Sequence, residues 1–333
     1  MRVAFAGSPP FATPIVENLL ASRHALVGIV TPPDRPKGRG QRVEISPLAA
    51  LAESRGVPLL RTEDANTEAA LEMLRGWRPD VLLVASFGQL LKQPLLDLAP
   101  HGALNVHASL LPRWRGASPV ARAIAAGDVL TGVAIQRMVR KLDAGPVCFS
   151  VTTPIAEGET AGELLERLAR LAGEHVPSVL DRLERGEAQF VPQNDAEATL
   201  APKLRKEDGV VDFRRPAVEL ERQVRAMTPW PGATCRLRLA AAVPATNTQS
   251  DLPSLGVKLY RVEAKEAEPV AAPPGSILAL PNRRAVPPVD AILVATGGGV
   301  LRILQLQPEG GRVMTADEFT RGRPLPPGSC LIS

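Results

Sequence analysis

Short apolar runs alternate with helical patterns over residues 1–189, and this alternation restricts the fold more than any other feature of the chain. Strand-like runs lie at Val3–Ala6, Ala25–Val30, Pro58–Leu60, Val81–Ser86, Ala103–His107, Val133–Met138 and Val147–Thr152. Helical periodicity falls between them at Ala12–Ala21, Pro47–Glu53, Ala65–Arg75 and Pro119–Ala126, and a longer amphipathic helix spans Ala161–Arg185. Val81–Ala85 is apolar on both faces, as a central strand of a helix-covered parallel sheet must be. The spacing predicts an α/β domain with a mostly parallel sheet over 1–189.

Periodicity is lost at 190–207, where Pro, Gln, Asn and Lys accumulate, and this stretch reads as a linker. Beyond it, residues 208–333 hold short β-like runs at Gly209–Phe213, Ala233–Leu239, Val257–Val262, Gly275–Leu280, Ala291–Ala295 and Val300–Leu306. One helical segment, Ala217–Ala226, interrupts them, and Ala241–Leu255 and Glu266–Pro274 read as insertions between strands. Strands so short and so spaced predict a small β-barrel. Two cores also suit a chain of 333 residues better than one. Gly297-Gly298-Gly299 lies between two β-like runs and reads as a hairpin turn.

Composition narrows the class of protein. Hydrophobic residues make up 45% and charged residues 22%, a globular balance. No apolar run approaches the roughly 20 residues of a membrane span, and the N-terminal apolar run is too short for a signal peptide. A cytoplasmic monomer without a membrane partner is expected. Cys148, Cys235 and Cys330 are widely spaced and form no Cys-x-x-Cys pair, which argues against both a disulfide framework and structural zinc. The net charge of +4 is uneven, since residues 1–199 hold 21 basic and 22 acidic side chains while 200–333 hold 18 and 13. The C-terminal part is therefore the better candidate for meeting a polyanion.

The chemistry concentrates in 103–116, Ala-Leu-Asn-Val-His-Ala-Ser-Leu-Leu-Pro-Arg-Trp-Arg-Gly. Alternation along a strand points Asn105 and His107 the same way, at the carboxyl end where open α/β sheets bind ligands. An amide beside a tunable proton donor suits a reaction that develops negative charge on a carbonyl oxygen. The other histidines, His24, His101 and His175, sit where packing or solvation accounts for them. Asp143, in the turn Lys141-Leu142-Asp143-Ala144-Gly145 after the next strand, is the candidate partner that fixes His107. Gly7-Ser8-Pro9-Pro10-Phe11-Ala12 follows the first strand without the Gly-x-Gly-x-x-Gly spacing, so a dinucleotide site is disfavoured. Phe87-Gly88-Gln89-Leu90 follows the central strand and could receive a flat heterocycle. Thr31–Arg42 carries Arg35, Lys37, Arg39 and Arg42 with nothing apolar to bury beyond prolines, which suits a grip on nucleic-acid phosphates.

Taken in order along the chain, these pieces resemble the 10-formyltetrahydrofolate-dependent formyltransferases. Gly7-Ser8-Pro9 with Phe11-Ala12, the Pro33–Gly40 loop, Phe87-Gly88, the Asn105-x-His107-x-Ser109-Leu110-Leu111-Pro112-Arg113-Trp114-Arg115-Gly116 run, Leu142-Asp143-x-Gly145 and Pro229-Trp230-Pro231 carry the likeness. Val139 and Lys141 stand where the family usually has an acid and a glycine, Ser8 replaces a common Thr, and Phe87 a common Tyr. The resemblance implies a Rossmann-like catalytic domain followed by an OB-like barrel that binds tRNA. It implies a folate site at Ser109, Leu110, Leu111 and Pro112, with backbone from Phe87, Gly88, Gln89 and Leu90 and around Lys141–Asp143. The reaction it implies moves a formyl group from 10-formyltetrahydrofolate, as co-substrate and without a metal, to the α-amine of initiator methionyl-tRNA for translation initiation. Asn105, His107 and Asp143 would be the catalytic residues. The basic loop and the basic C-terminal half favour tRNA over a nucleotide-sugar amine as acceptor.

Overall fold

The structure, a computed structural model, describes residues 1–34, 36–37, 42–43, 45–240, 254–265, 271–278 and 290–333, with the backbone alone at 36–37 and 42–43. The chain divides into two compact units, the first made of Met1–Val120, Val129–Ala156 and Glu163–Lys203. The second comprises Ala121–Asp128, Glu157–Gly162 and Leu204–Ser333.

In chain order the N-terminal elements are β1 (Arg2–Gly7), α1 (Ala12–Leu20), β2 (Ala25–Thr31), β3 (Pro36–Lys37), β4 (Arg42–Val43), α2 (Pro47–Ser54), β5 (Leu59–Arg61) and α3 (Glu68–Gly76). They continue as β6 (Val81–Ala85), α4 (Gln93–Leu96), β7 (Ala103–His107), α5 (Pro119–Ala126), β8 (Leu130–Arg137), β9 (Val147–Pro154) and α6 (Ala161–Glu184). Seven strands form one sheet in the order β5-β2-β1-β6-β7-β8-β9. The five strands from β5 to β7 run parallel, whereas β8 and β9 are antiparallel to their neighbours. The sheet is Rossmann-like. Its strand order reverses between β1 and β6, so the crevice outside their carboxyl ends is a natural ligand site.

Local chemistry explains the helices that flank this sheet. Ser46 caps α2 by accepting from the Ala49 amide at 3.2 Å, with Pro47 in the first turn, and Thr67 caps α3 through the Ala70 amide at 3.3 Å. Every residue of β6 is buried, consistent with its uninterrupted apolar run. Leu164, Leu168, Ala172, Val176, Val179, Leu180 and Leu183 form the buried stripe of α6.

The second unit adds α7 (Ala217–Met227), β10 (Ala233–Arg238), β11 (Ser254–Lys265), β12 (Ile292–Ala295), β13 (Val300–Pro308), β14 (Met314–Thr315), α8 (Ala316–Gly322) and β15 (Cys330–Ile332). Its strands pair antiparallel in the order β12-β13-β11-β10-β15, with β14 beside β13, giving a nearly closed barrel-like sheet. Phe213, Leu220, Val224, Leu237, Leu259, Ile303 and Phe319 belong to its core.

Some expectations need correcting. Gly209–Phe213 is not a strand but makes one isolated bridge, Val210 to Thr234, after a short 3-10 turn at Lys206–Gly209. Gly275–Leu280 contributes bridges at Ser276 and Ile277, and residues 279–280 lie outside the described residues. Of the two expected insertions, 241–253 and 266–270 also lie outside them. The stretch 190–207, read as a linker, is anchored through residue 201 to the first unit: Val191 bridges Val147, Leu200 bridges Arg115, and the Ser118 amide donates to the Ala201 carbonyl at 3.1 Å. Loss of periodicity had signalled a segment without regular structure, which is not the same as one without contacts. The Gly297–Gly299 turn does join two paired strands, β12 and β13.

Candidate active site

Asn105 and His107 lie on one side of β7, and the loops after β7 and β8 bring Asp143 to them. Met138 donates its amide to Ala103 O at 2.8 Å and Arg137 to Pro146 O at 2.9 Å, so residues 139–145 form a closed excursion at the end of β8. Within it Asp143 adopts a left-handed backbone at φ 46°, a conformation Asp tolerates better than most residues. Gly145 makes the closure possible, because a Cβ there would stand 1.7 Å from Arg137 O.

Three donors converge on the Asp143 carboxylate. Asn105 Nδ2 and Gln136 Nε2 donate to Oδ1 at 3.2 and 3.0 Å, and the Gly116 amide donates to Oδ2 at 2.8 Å. His107 Nδ1 lies 3.9 Å from that same Oδ2, a gap that one water or one substrate atom spans. The other ring nitrogen, Nε2, is 2.9 Å from the Trp114 carbonyl. A carbonyl can only accept, so Nε2 carries a proton and Nδ1 is the nitrogen that faces the carboxylate. Trp114 presents its carbonyl there from a left-handed backbone, φ 61°, while its own amide donates to Thr199 Oγ1 at 2.9 Å. The imidazole is 6% exposed. The structure thus brings all three predicted catalytic side chains together.

The predicted folate residues take more varied places. Ser109 is buried and spends its hydroxyl on Arg113 O at 2.7 Å, bracing the Leu110–Arg113 turn that contains Leu111 and Pro112. Gln89 donates to Thr62 O at 3.0 Å and accepts from the Ala65 amide at 2.8 Å, so its side chain ties loops together. Phe87 is core, Gly88 has φ 77°, and Leu90 is exposed. These loops therefore offer backbone edges and apolar surface rather than free polar side chains. A cavity of about 860 Å³ opens nearby between Gln93–Ala103 and Arg137–Arg140, its wall including Leu96, His101, Ala103 and Met138. None of the predicted folate residues lines it.

Of the predicted tRNA contacts, Arg35 and Arg39 lie outside the described residues, and the side chains of Lys37 and Arg42 are not described. The backbone pairs Lys37 with Arg42 and Pro36 with Val43. Asp34 anchors the base of this loop, accepting from the Ser46 amide at 2.9 Å and from Arg61 Nε at 3.1 Å. Among the described residues, His24, Asp181 and Glu184 stand close enough to share a metal ion, but Arg23 and the Met1 ammonium already pair with the two acids.

Sequence reasoning missed Gln136 and Gln193, and gave Arg115 no role beyond its place in the family motif. Gln193 Nε2 lies 2.8 Å from Asp143 O, 2.7 Å from Gly145 O and 3.1 Å from Gln136 Oε1. Arg115, 4% exposed, donates to Gln193 Oε1 through Nε and Nη2 at 3.0 and 2.8 Å and pairs with Asp195 at 2.8 Å. Asp195 also pairs with Lys141, and these two cations, Lys141 first, hold its carboxyl below the usual range. For Gln136 the available signal was a polar residue directly after the apolar Val133–Ile135 run.

Residues 1–180 match the family model described as formyl transferase, and 203–324 match the formyl transferase C-terminal domain. The chain belongs to the formyl transferase family. The methionyl-tRNA formyltransferase of Myxococcus xanthus is 43% identical over 330 residues, covering 98% of this chain and 97% of the relative. That of Acidithiobacillus ferrooxidans is 42% identical over 321 residues, covering 96% and 95%. Among solved formyl transferase folds, the N-formyltransferase of Helicobacter canadensis with folinic acid and dTDP-3-aminofucose superposes with a TM-score of 0.60 at 14% identity, covering 90% of this chain and 97% of that one. HypX of Aquifex aeolicus with tetrahydrofolic acid gives 0.59 at 18% identity, covering 96% of this chain and 47% of that one. At such identities the likeness shows the fold alone.

Proposed function

We propose that this formyl transferase moves the formyl group of 10-formyltetrahydrofolate onto the α-amine of initiator methionyl-tRNA, giving N-formylmethionyl-tRNA. The observation that carries the reading is end-to-end likeness to enzymes of that name at 43% identity, joined to the Asn105–His107–Asp143 convergence. In this reading 1–189 is the catalytic domain and 208–333 the tRNA-binding domain, with 190–207 connecting them.

The acceptor needs little activation. An α-amine has a pKa of about 7.7, so a useful share is neutral and nucleophilic at cell pH. The amine nitrogen bonds to the formyl carbon, the bond to folate N10 breaks, and the amine proton ends on N10. Between these events the formyl oxygen carries negative charge. Asn105 has a second amide hydrogen beside the one it gives Asp143, and this hydrogen donates to that oxygen. His107, with its Nε2 hydrogen on the Trp114 carbonyl, supplies the other donor when Nδ1 carries a proton as well. Removing one such donor costs roughly 3 kcal/mol of transition-state stabilisation. Asp143 fixes the imidazole and passes the proton along through water.

The donor's heterocycle packs on the loops that carry the exposed Leu90, Val139 and Leu142, where backbone groups of Phe87–Leu90, Ser109–Pro112 and Lys141–Asp143 read its edges. Arg35, Lys37, Arg39 and Arg42 hold acceptor-stem phosphates. Incubating purified protein with formyl-labelled 10-formyltetrahydrofolate and charged initiator tRNA tests the reading. Label is expected on the methionyl amine, and label recovered only as formate would overturn it.

A further inference from the structure

We propose that Gln193 is a positioning residue for Asp143, and that the buried Arg115 behind it sets the direction of every hydrogen bond between them. The inference rests on the formyl-transfer reading of this site. It concerns residues that touch no reacting atom in that reading.

The argument is one of polarity. Arg115 has donors and no acceptor, and it places Nε and Nη2 on Gln193 at 3.0 and 2.8 Å. Only the carbonyl of the Gln193 amide can receive them. The NH2 group is therefore turned the other way, toward the Asp143 and Gly145 carbonyls at 2.8 and 2.7 Å and toward the Gln136 side chain at 3.1 Å. An amide nitrogen facing Gln136 obliges Gln136 to answer with its oxygen. Its own NH2 is then left for Asp143 Oδ1, at 3.0 Å. A single donor-only side chain thus fixes two amides in sequence, and the series ends on the carboxylate that faces His107.

The same contacts hold the backbone. Gln193 clasps two carbonyls of the 143–145 turn, whose first residue sits at φ 46°, and Asp195 secures Arg115 from behind with help from Lys141. Gln136 and Arg115 are 1% and 4% exposed, so bulk water is kept from those two side chains. Reversing Gln136 would put its oxygen against the Asp143 carboxylate, and reversing Gln193 would put its oxygen against two backbone carbonyls and its NH2 group against the Arg115 donors.

Gln193→Glu tests this. It keeps the volume and the pairing with Arg115, but replaces the NH2 by a second oxygen facing three oxygens. Gln136 is then expected to turn over and present its oxygen to Asp143. The turnover number is expected to fall about 10- to 100-fold, the span of one lost hydrogen bond to a charged group, with KM for methionyl-tRNA and for folate unchanged within about twofold. Gln136→Met alone removes one donor and is expected to lower turnover by about tenfold. The double variant is expected to be no slower than Gln193→Glu, because the opposed oxygen has gone. Losses that simply multiply, or a Gln193→Glu turnover within twofold of the parent, would overturn the proposal. Should Gln193→Glu melt below the assay temperature, Gln136→Met decides alone: parental turnover there overturns the proposal equally. A parent that formylates no methionyl-tRNA would instead overturn the functional reading beneath it.

Discussion

The Gly116 amide donates to Asp143 Oδ2 at 2.8 Å, and this bond ties the loop after β7 to the loop after β8 where Asn105, His107 and Asp143 meet. Gly116 is held at φ 120°, and a Cβ would lie 2.7 Å from the Ala201 carbonyl. Gly116→Ala is expected to cost about 1–3 kcal/mol of stability from backbone strain and to lower turnover further by displacing the amide from Asp143. A thermal melt and a turnover assay at a temperature where the variant is folded separate the two effects. Unchanged values in both would show that the loop accommodates a side chain.

Asn105→Ala, His107→Ala and Asp143→Asn are each expected to lower turnover by two or more orders of magnitude. Asp143→Asn is the sharpest of the three, because its amide would face donors from Asn105, Gln136 and Gly116 with nothing to accept its own hydrogens except His107. A variant retaining near-parental turnover removes that residue from the mechanism.

His107 is expected to rest with its proton on Nε2, held by the Trp114 carbonyl 2.9 Å away. Nitrogen-15 spectra of histidine-labelled protein report the tautomer directly. A neutral ring protonated on Nδ1 alone would contradict the hydrogen bond from Nε2 to the Trp114 carbonyl.

Lys37→Ala, Arg39→Ala and Arg42→Ala are expected to raise KM for methionyl-tRNA while leaving KM for folate unchanged. Each should also flatten the dependence of tRNA affinity on salt by about one unit of slope. Parental tRNA kinetics in all three would place the nucleic-acid surface elsewhere.

Burial pushes the Cys148 and Cys235 thiols up to about 11 and about 12, from the usual 9.0. Folding therefore favours the neutral thiol, and above the unfolded value the denatured chain releases protons that the native chain keeps. Stability is expected to be insensitive to these groups below pH 9 and to decline as the pH rises from there toward 12. Cys148→Ala together with Cys235→Ala should flatten that decline in denaturant titrations. Native protein at neutral pH should alkylate first at the half-buried Cys330.

Much of this was legible in the residues. β7, at Ala103–His107, and α5, at Pro119–Ala126, fall where the sequence puts them, because a two-residue alternation and a Pro-started helix are local properties. Asn105 and His107 could be paired from strand geometry alone. What escaped was non-local or too short to show a period. The strand Cys330–Ile332 and the helix Ala316–Gly322 hold a few residues each. Gln193 is indistinguishable from any loop glutamine until residues 57 and 50 positions earlier, Gln136 and Asp143, are folded against it. Lys141 looked only like an unusual residue where the family has glycine, and its pairing with Asp195 gives it a place in the site.

The clasp at Gln193 bears on how this enzyme can be dissected. The N-terminal family match stops at residue 180, and a fragment cut there would keep Asn105, His107 and Asp143 while discarding Gln193, Asp195, Thr199 and Ala201. Such a piece would carry the right inventory with its aspartate unbraced. A fragment that keeps these contacts has to run at least to Ala201, and the last segment of the first compact unit ends at Lys203.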